Sequence, residues 1–174
     1  MALAAGLITA SPAAAATACS GADALPGSIS GEVLEQATLC LLNEQRSNAG
    51  LKPLKPHAKL DLAAVRFSQA MVQQQFFNHV SPQGSTLGSR IKQVSYTKGA
   101  KRWFLGENIG WGTGSRSTPA KMVDAWMNSA GHKRNILDPA FKEIGIGVVL
   151  GAPVATAASA STGATYTTDF GARS

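Results

Sequence analysis

The octapeptide EIGIGVVL, residues 143–150, alternates Ile144, Ile146 and Val148 with Gly145 and Gly147. Period two is the mark of a strand, and here part of one face carries no side chain. A strand stripped in this way sits where another backbone, or a helix, must come close. The fold must therefore be layered, and the rest of the chain has to supply the layers.

The strongest helical signal lies over 58–77, where Leu60, Ala63, Ala64, Phe67, Ala70, Met71, Gln74 and Phe77 recur at helical spacing. An earlier helix begins at Ser30 as cap, with Glu32 in the first turn, and ends at Gly50. Its stripe is Val33, Ala37, Cys40, Leu41 and Glu44, and LKPLKP follows as a proline-punctuated connector. The turn NHVSPQGS stops the second helix, and a short helix is predicted near Thr86–Val94. A strand runs from Trp103 to Ile109, in a glycine-rich stretch, LGENIGWGTGS, that holds a single carboxylate, Glu107. Thr118 and Pro119 open a fourth helix carrying Met122, Val123, Trp126 and Met127 as far as Gly131. TYTTDF, with Tyr166, Thr168 and Phe170 alternating, reads as the last strand, after the low-complexity run GAPVATAASASTGA. Helices come first, strands later, and the loops are too short for parallel crossovers. This predicts an α+β fold with an antiparallel sheet covered by helices, and 174 residues suit one domain.

The first stretch, MALAAGLITASPAAAATAC, is uncharged and ends in small residues. Residues 1–18 read as the apolar and cleavage regions of a secretory signal peptide whose basic start is missing. Cleavage before Thr17 or before Cys19 fits; Ala16 is a poor match to a lipoprotein site. In an exported chain the even, close pair Cys19 and Cys40 reads as a disulfide tying an arm, residues 19–33, to the first helix. Two thiols alone make a poor metal site. The net charge of +6 favours anionic envelope polymers or lipid head groups over nucleic acid, with plain solubility as the blander account.

The chain has no G-x-S-x-G, H-E-x-x-H or Walker loop. Three polar residues stand at the ends of apolar elements: His79 after the second helix, Glu107 in the glycine-rich strand, and His132 after the fourth helix in SAGHKRNIL. Two imidazoles and a carboxylate are also the ligand set of many open zinc sites. Either the three converge on one cleft, or each is a separately satisfied structural group. The third histidine, His57, follows Pro56 at a helix start, where exposure is expected.

LLNEQRSNAGLKPL, NHVSPQGSTLGSRI, GENIGWG, AWMNSAGHKRNIL and EIGIGVV, in that order, resemble the bacterial branch of the CAP superfamily of cysteine-rich secretory, antigen 5 and pathogenesis-related proteins (the SCP domain). The resemblance covers about residues 34–171. It implies a three-layer α-β-α sandwich with a central antiparallel sheet and a cleft where two histidines and acidic groups hold a divalent metal in some members. By position His79, Glu107 and His132 match the cleft groups, while Ser129 stands where the family has its second acid. The expectation is a secreted monomeric binding module, with weakly held Zn2+ or another divalent cation and/or a sterol-like, lipid-like or anionic cell-envelope ligand. The alternative is a peptidase or other hydrolase using the same cleft, with Ser81 or Ser129 as candidate nucleophiles.

Overall fold

A computed structural model describes residues 19–154 and 163–174. Its helices are α1 (Gly31–Asn48), α2 (Ala58–Gln74), α3 (Leu87–Gln93), α4 (Pro119–Met127) and α5 (Ala130–Ile136). Its strands are β1 (Lys55–Pro56), β2 (Trp103–Thr113), β3 (Glu143–Leu150) and β4 (Gly163–Arg173). The sheet order is β1-β3-β4-β2, antiparallel from β3 through β4 to β2. β1 adds a parallel edge through Lys55 opposite Glu143 and Pro56 opposite Ile144, which makes the sheet mixed. Two residues inside a proline-rich connector carry no periodicity, so this edge had no signature.

The bare face of β3 meets α2. A Cβ on Gly145 would run into the backbone of Leu60 and Asp61, and one on Gly147 into that of Ala64 and Val65. With the backbones this close, α2 also bonds to the strand. Asp61 Oδ1 accepts from Ile146 N at 3.0 Å, and Ser68 Oγ lies 3.0 Å from Gly147 O and 2.8 Å from Thr167 Oγ1. The opposite face of the sheet carries the main core. Ile144, Ile146, Val148, Tyr166 and Phe170 pack there with Leu34 and Leu42 of α1 and Trp126 of α4. Helices thus cover both faces, in the expected three layers.

Details differ from the sequence reading for local reasons. The buried stripe of α1 is Leu34, Ala37, Thr38, Leu42 and Arg46, turned from the expected one. Cys40 lies beside it, tied to Cys19 with a Cα–Cα distance of 5.7 Å. α2 stops at Gln74 rather than Phe77, because Gln75 turns left-handed (φ 53) and its amide bonds Val72 O and Ala152 O. Phe76 then folds back to 5.9 Å from Phe67, leaving Phe77 exposed. The fourth helix ends at Met127, and a separate helix carries His132. β2 continues past Ile109 to Thr113 because Gly110 and Gly112 leave room: a Cβ there would strike Met122 or the Arg116 backbone. Residues 1–18, and with them the signal peptide, lie outside the described residues, as does most of the low-complexity run. Among the described residues no helix is long and apolar enough to cross a membrane.

Candidate functional site

Glu107 is the centre of the site. It occupies the middle of β2 on the face turned towards α2 and α3, with a side chain only 3% exposed. One carboxylate oxygen meets the Arg90 guanidinium from α3; the other lies 2.7 Å from Nδ1 of His79. Arg90 in turn donates to His79 O at 3.1 Å and Ser85 O at 2.9 Å, and its Cζ lies over the Phe67 ring, 3.4 Å from the centroid. It thereby fixes the 79–85 turn onto the sheet. A buried carboxylate needs such partners, because burial without them would force it to neutralise.

His79 is half exposed, and its hydrogen bond to Glu107, opposed by burial, raises its pKa above the ordinary 6.5. His132 sits on the other side of β2, in the first turn of α5, its ring 6.4 Å from that of Trp126. Burial, then the charge of His79, lowers its pKa. Its Nδ1 is buried without a hydrogen-bond partner. The structure therefore joins His79 to Glu107 directly and leaves His132 within electrostatic reach of His79. Among the described residues, the one set of three candidate ligand atoms all within 4.8 Å of each other is that of Cys19, Cys40 and Glu44, whose sulfurs are bonded to one another. Both Glu107 oxygens are engaged, so a cation here would have His79 Nε2 and the His132 ring as its open donors.

The asparagines around the site are structural. Asn108 Nδ2 donates to His132 O at 3.1 Å, and Asn135 Nδ2 to Glu107 O at 3.1 Å and Asn108 Oδ1 at 2.9 Å. They hold α5 against β2 and so set the height of His132. Ser81 is buried in its turn, where its Oγ accepts from Ser85 N at 3.1 Å. Ser129 caps α5 without a side-chain bond to it. His57 is half-buried rather than exposed: it caps α2 through Lys59 N, lies 3.0 Å from Arg173 Nη2 and meets the Tyr96 ring edge-on.

Asp169 was missed by the sequence reading. It is the cross-strand partner of Glu107, fully buried, and neither carboxyl oxygen has a hydrogen-bond partner. Burial and then the neighbouring charge of Glu107 push its pKa well up, while Arg90 opposes the shift. The signal was present: in TYTTDF the residues between Tyr166, Thr168 and Phe170 must face the other way, towards Glu107. Beside this cluster a cavity of about 230 Å³ opens between α2 and α3, lined by Ala63, Phe67, Ala70, Val94, Arg90 and Ser81 among others.

A sequence profile of the cysteine-rich secretory protein family (CAP) matches residues 39–157. The Bacillus subtilis (strain 168) protein YkwD is 40% identical over 124 residues, 71% of this chain and 45% of that protein. Among solved structures, an extracellular SCP-domain protein from Bacillus anthracis str. Ames aligns with TM-score 0.60 at 26% identity, over 82% of this chain and 43% of that one. An outer surface protein of Borrelia burgdorferi aligns with TM-score 0.67 at 19% identity, over 84% of this chain and 97% of that one. The chain thus spans less than half the length of both Bacillus relatives.

Proposed function

Because this chain belongs to the cysteine-rich secretory protein (CAP) family, we propose that it works outside the cell as a binding module rather than as a hydrolase. Its ligands enter the polar cleft around His79, Glu107 and His132 and the adjoining cavity. The observation that carries this reading is the commitment of both Glu107 oxygens, one to His79 and one to Arg90. A carboxylate held in that way orients an imidazole, as it does behind metal-bound histidines, and is poorly placed to act as a general base. Ser81 is engaged in its own turn, and among the described residues neither it nor Ser129 is hydrogen-bonded to a histidine. An activated nucleophile would need that contact.

Within this reading His79 and His132 hold a divalent cation weakly, with Glu107 behind His79 and Ser129 where a further acid would add an anionic ligand. A cation bound there would supply a Lewis-acidic anchor for an anionic or polar ligand group. The apolar wall of Ala63, Phe67 and Ala70, with Arg90 at its edge, suits a lipid-like tail with a polar end. Two related proteins are described as extracellular or outer-surface proteins, which supports the exported setting.

Calorimetric titration with zinc tests the cation site. Weak binding is expected, fading as pH falls and the imidazoles protonate. His79→Ala and His132→Ala should weaken it, and Ser129→Glu should tighten it. Identical isotherms for all four proteins would remove the site. Mass spectrometry of organic extracts from the purified protein tests the lipid half, and an extract free of lipid would remove that half.

A further inference from the structure

A wide cavity lies away from the His79–Glu107 site, and it is basic. It measures about 1010 Å³ and is bounded by the segments 50–55 and 139–143 and by the end of β4. Lys52, Lys55, Lys142 and Arg173 line it, with Phe141 and Pro53 as apolar wall. None of its residues belongs to the His79–Glu107–His132 cleft.

Its walls are held by one buried side chain. Arg46 of α1 is 1% exposed and donates to four main-chain carbonyls: Lys52 at 2.9 Å, Ile136 at 2.7 Å, Asp138 at 3.0 Å and Phe141 at 3.3 Å. The first of these lies in one wall and the others in or just before the opposite one, so a single guanidinium clamps both. All four acceptors are neutral, and the acidic group that acts on the Arg46 charge is Asp138, so the guanidinium leaves a partly offset positive field at the base of the groove. The second clamp is the sheet edge, where Lys55 N donates to Lys142 O at 3.0 Å and sets those two lysines side by side.

The acidic groups nearby offset this field only in part, because Glu143 is engaged by Arg173 and Asp138 acts on Arg46, leaving the three lysines uncompensated. Glu143 is taken by the Tyr96 hydroxyl at 2.6 Å and by Arg173 at 3.5 Å. Asp138 accepts from Ala140 N at 2.8 Å. Lys52, Lys55 and Lys142 form no ion pair among the described residues. Three ammonium groups without counter-ions stand on walls that are already fixed, so an arriving anion has only the lysine side chains themselves to order.

We infer that this groove is a binding site for a ligand carrying several phosphate groups. Ammonium groups are compact point charges suited to phosphate oxygens, and a cavity of about 1010 Å³ has room for more than one phosphate. Such groups come either from a soluble polyanion or from the head groups of an anionic bilayer, and the test separates the two.

Tripolyphosphate is titrated calorimetrically at low and physiological salt, and vesicles of phosphatidylglycerol are compared with vesicles of phosphatidylcholine. The proteins are wild type, a groove triple variant (Lys52→Ala, Lys55→Ala, Lys142→Ala) and a control triple variant of equal charge change (Lys92→Ala, Lys98→Ala, Arg102→Ala), each checked for native circular dichroism. Salt-sensitive binding that weakens about tenfold in the groove variant and little in the control is expected. Binding of tripolyphosphate with that pattern identifies a soluble polyanion; binding of phosphatidylglycerol vesicles alone, with the same pattern, identifies head groups. If neither probe binds, if both triples lose affinity alike, or if the groove triple keeps it, the inference is wrong. The groove shares no residue with the zinc site, so a failed zinc titration would leave this inference standing.

Discussion

Glu107 and Asp169 are direct cross-strand neighbours on the β2–β4 ladder, two carboxyls side by side on the face covered by α2 and α3. Like charges so placed repel, and of the two carboxyls it is Glu107 that is ion-paired with Arg90. The native state therefore keeps Asp169 protonated well above its ordinary range. The sign follows from linkage. Above the unfolded-state pKa the unfolded chain has released a proton that the native state still holds, so stability falls as pH rises between the two pKa values.

Asp169→Asn removes this titrating group. Urea unfolding at pH 4 and at pH 7 should show wild type losing more stability over that interval than the variant. Equal losses would mean that Asp169 ionises freely in the fold.

Glu107→Gln should do two separable things. It leaves Arg90 buried without its anion, at a cost of about 3 kcal/mol. It also takes away the main cause of His79's raised pKa, so the imidazole should titrate lower by NMR, while His132 in the wild type should titrate below 6.5. Because His79 is raised, its contribution to stability is complete below the unfolded pKa and is lost as pH climbs through the folded one. An unmoved His79 titration in the variant would contradict the hydrogen bond.

Gly145→Ala should cost about 3 kcal/mol, the upper range for overpacking, because the new methyl meets helix backbone rather than a side chain that can turn away. Gly131→Ala, where a Cβ meets nothing within 4 Å, is the matched control and should be close to neutral. Thermal unfolding of the two variants decides the matter.

Replacing both Cys19 and Cys40 by Ser opens a bridge between residues 21 apart in sequence and should cost about 3 kcal/mol in the chain-entropy account. Zinc affinity should not change, because the bridge joins the arm to α1 and touches no cleft residue. Intact-mass measurement of the wild type should find no free thiol.

The layered fold was legible because its cause is local: Gly145 and Gly147 strip one side of a strand, and only a close helix explains that. Ser30, Gly50, Thr118 and Pro119 mark helix ends by their own backbone chemistry. What escaped depended on contacts distant in sequence. Gln75 ends α2 partly through Ala152 O, and Arg46 serves carbonyls of residues 136, 138 and 141. The cleft was half legible. His79 and Glu107 stand out as polar element ends, yet Arg90, which holds them together, reads from sequence only as a helix residue. Asp169 escaped because the alternation of TYTTDF gives the face it lies on but not the strand beside it, and its meaning depends on Glu107 being its neighbour.

The sheet order has a consequence for biosynthesis. β4 follows every other strand in sequence, yet it lies between β2 and β3 and pairs with both along most of their lengths. Until residues 163–173 have left the ribosome, β2 and β3 have no common partner and the core has no floor. Closure of the sheet therefore waits on β4, and β2 and β3 are joined in a single step when that strand enters between them.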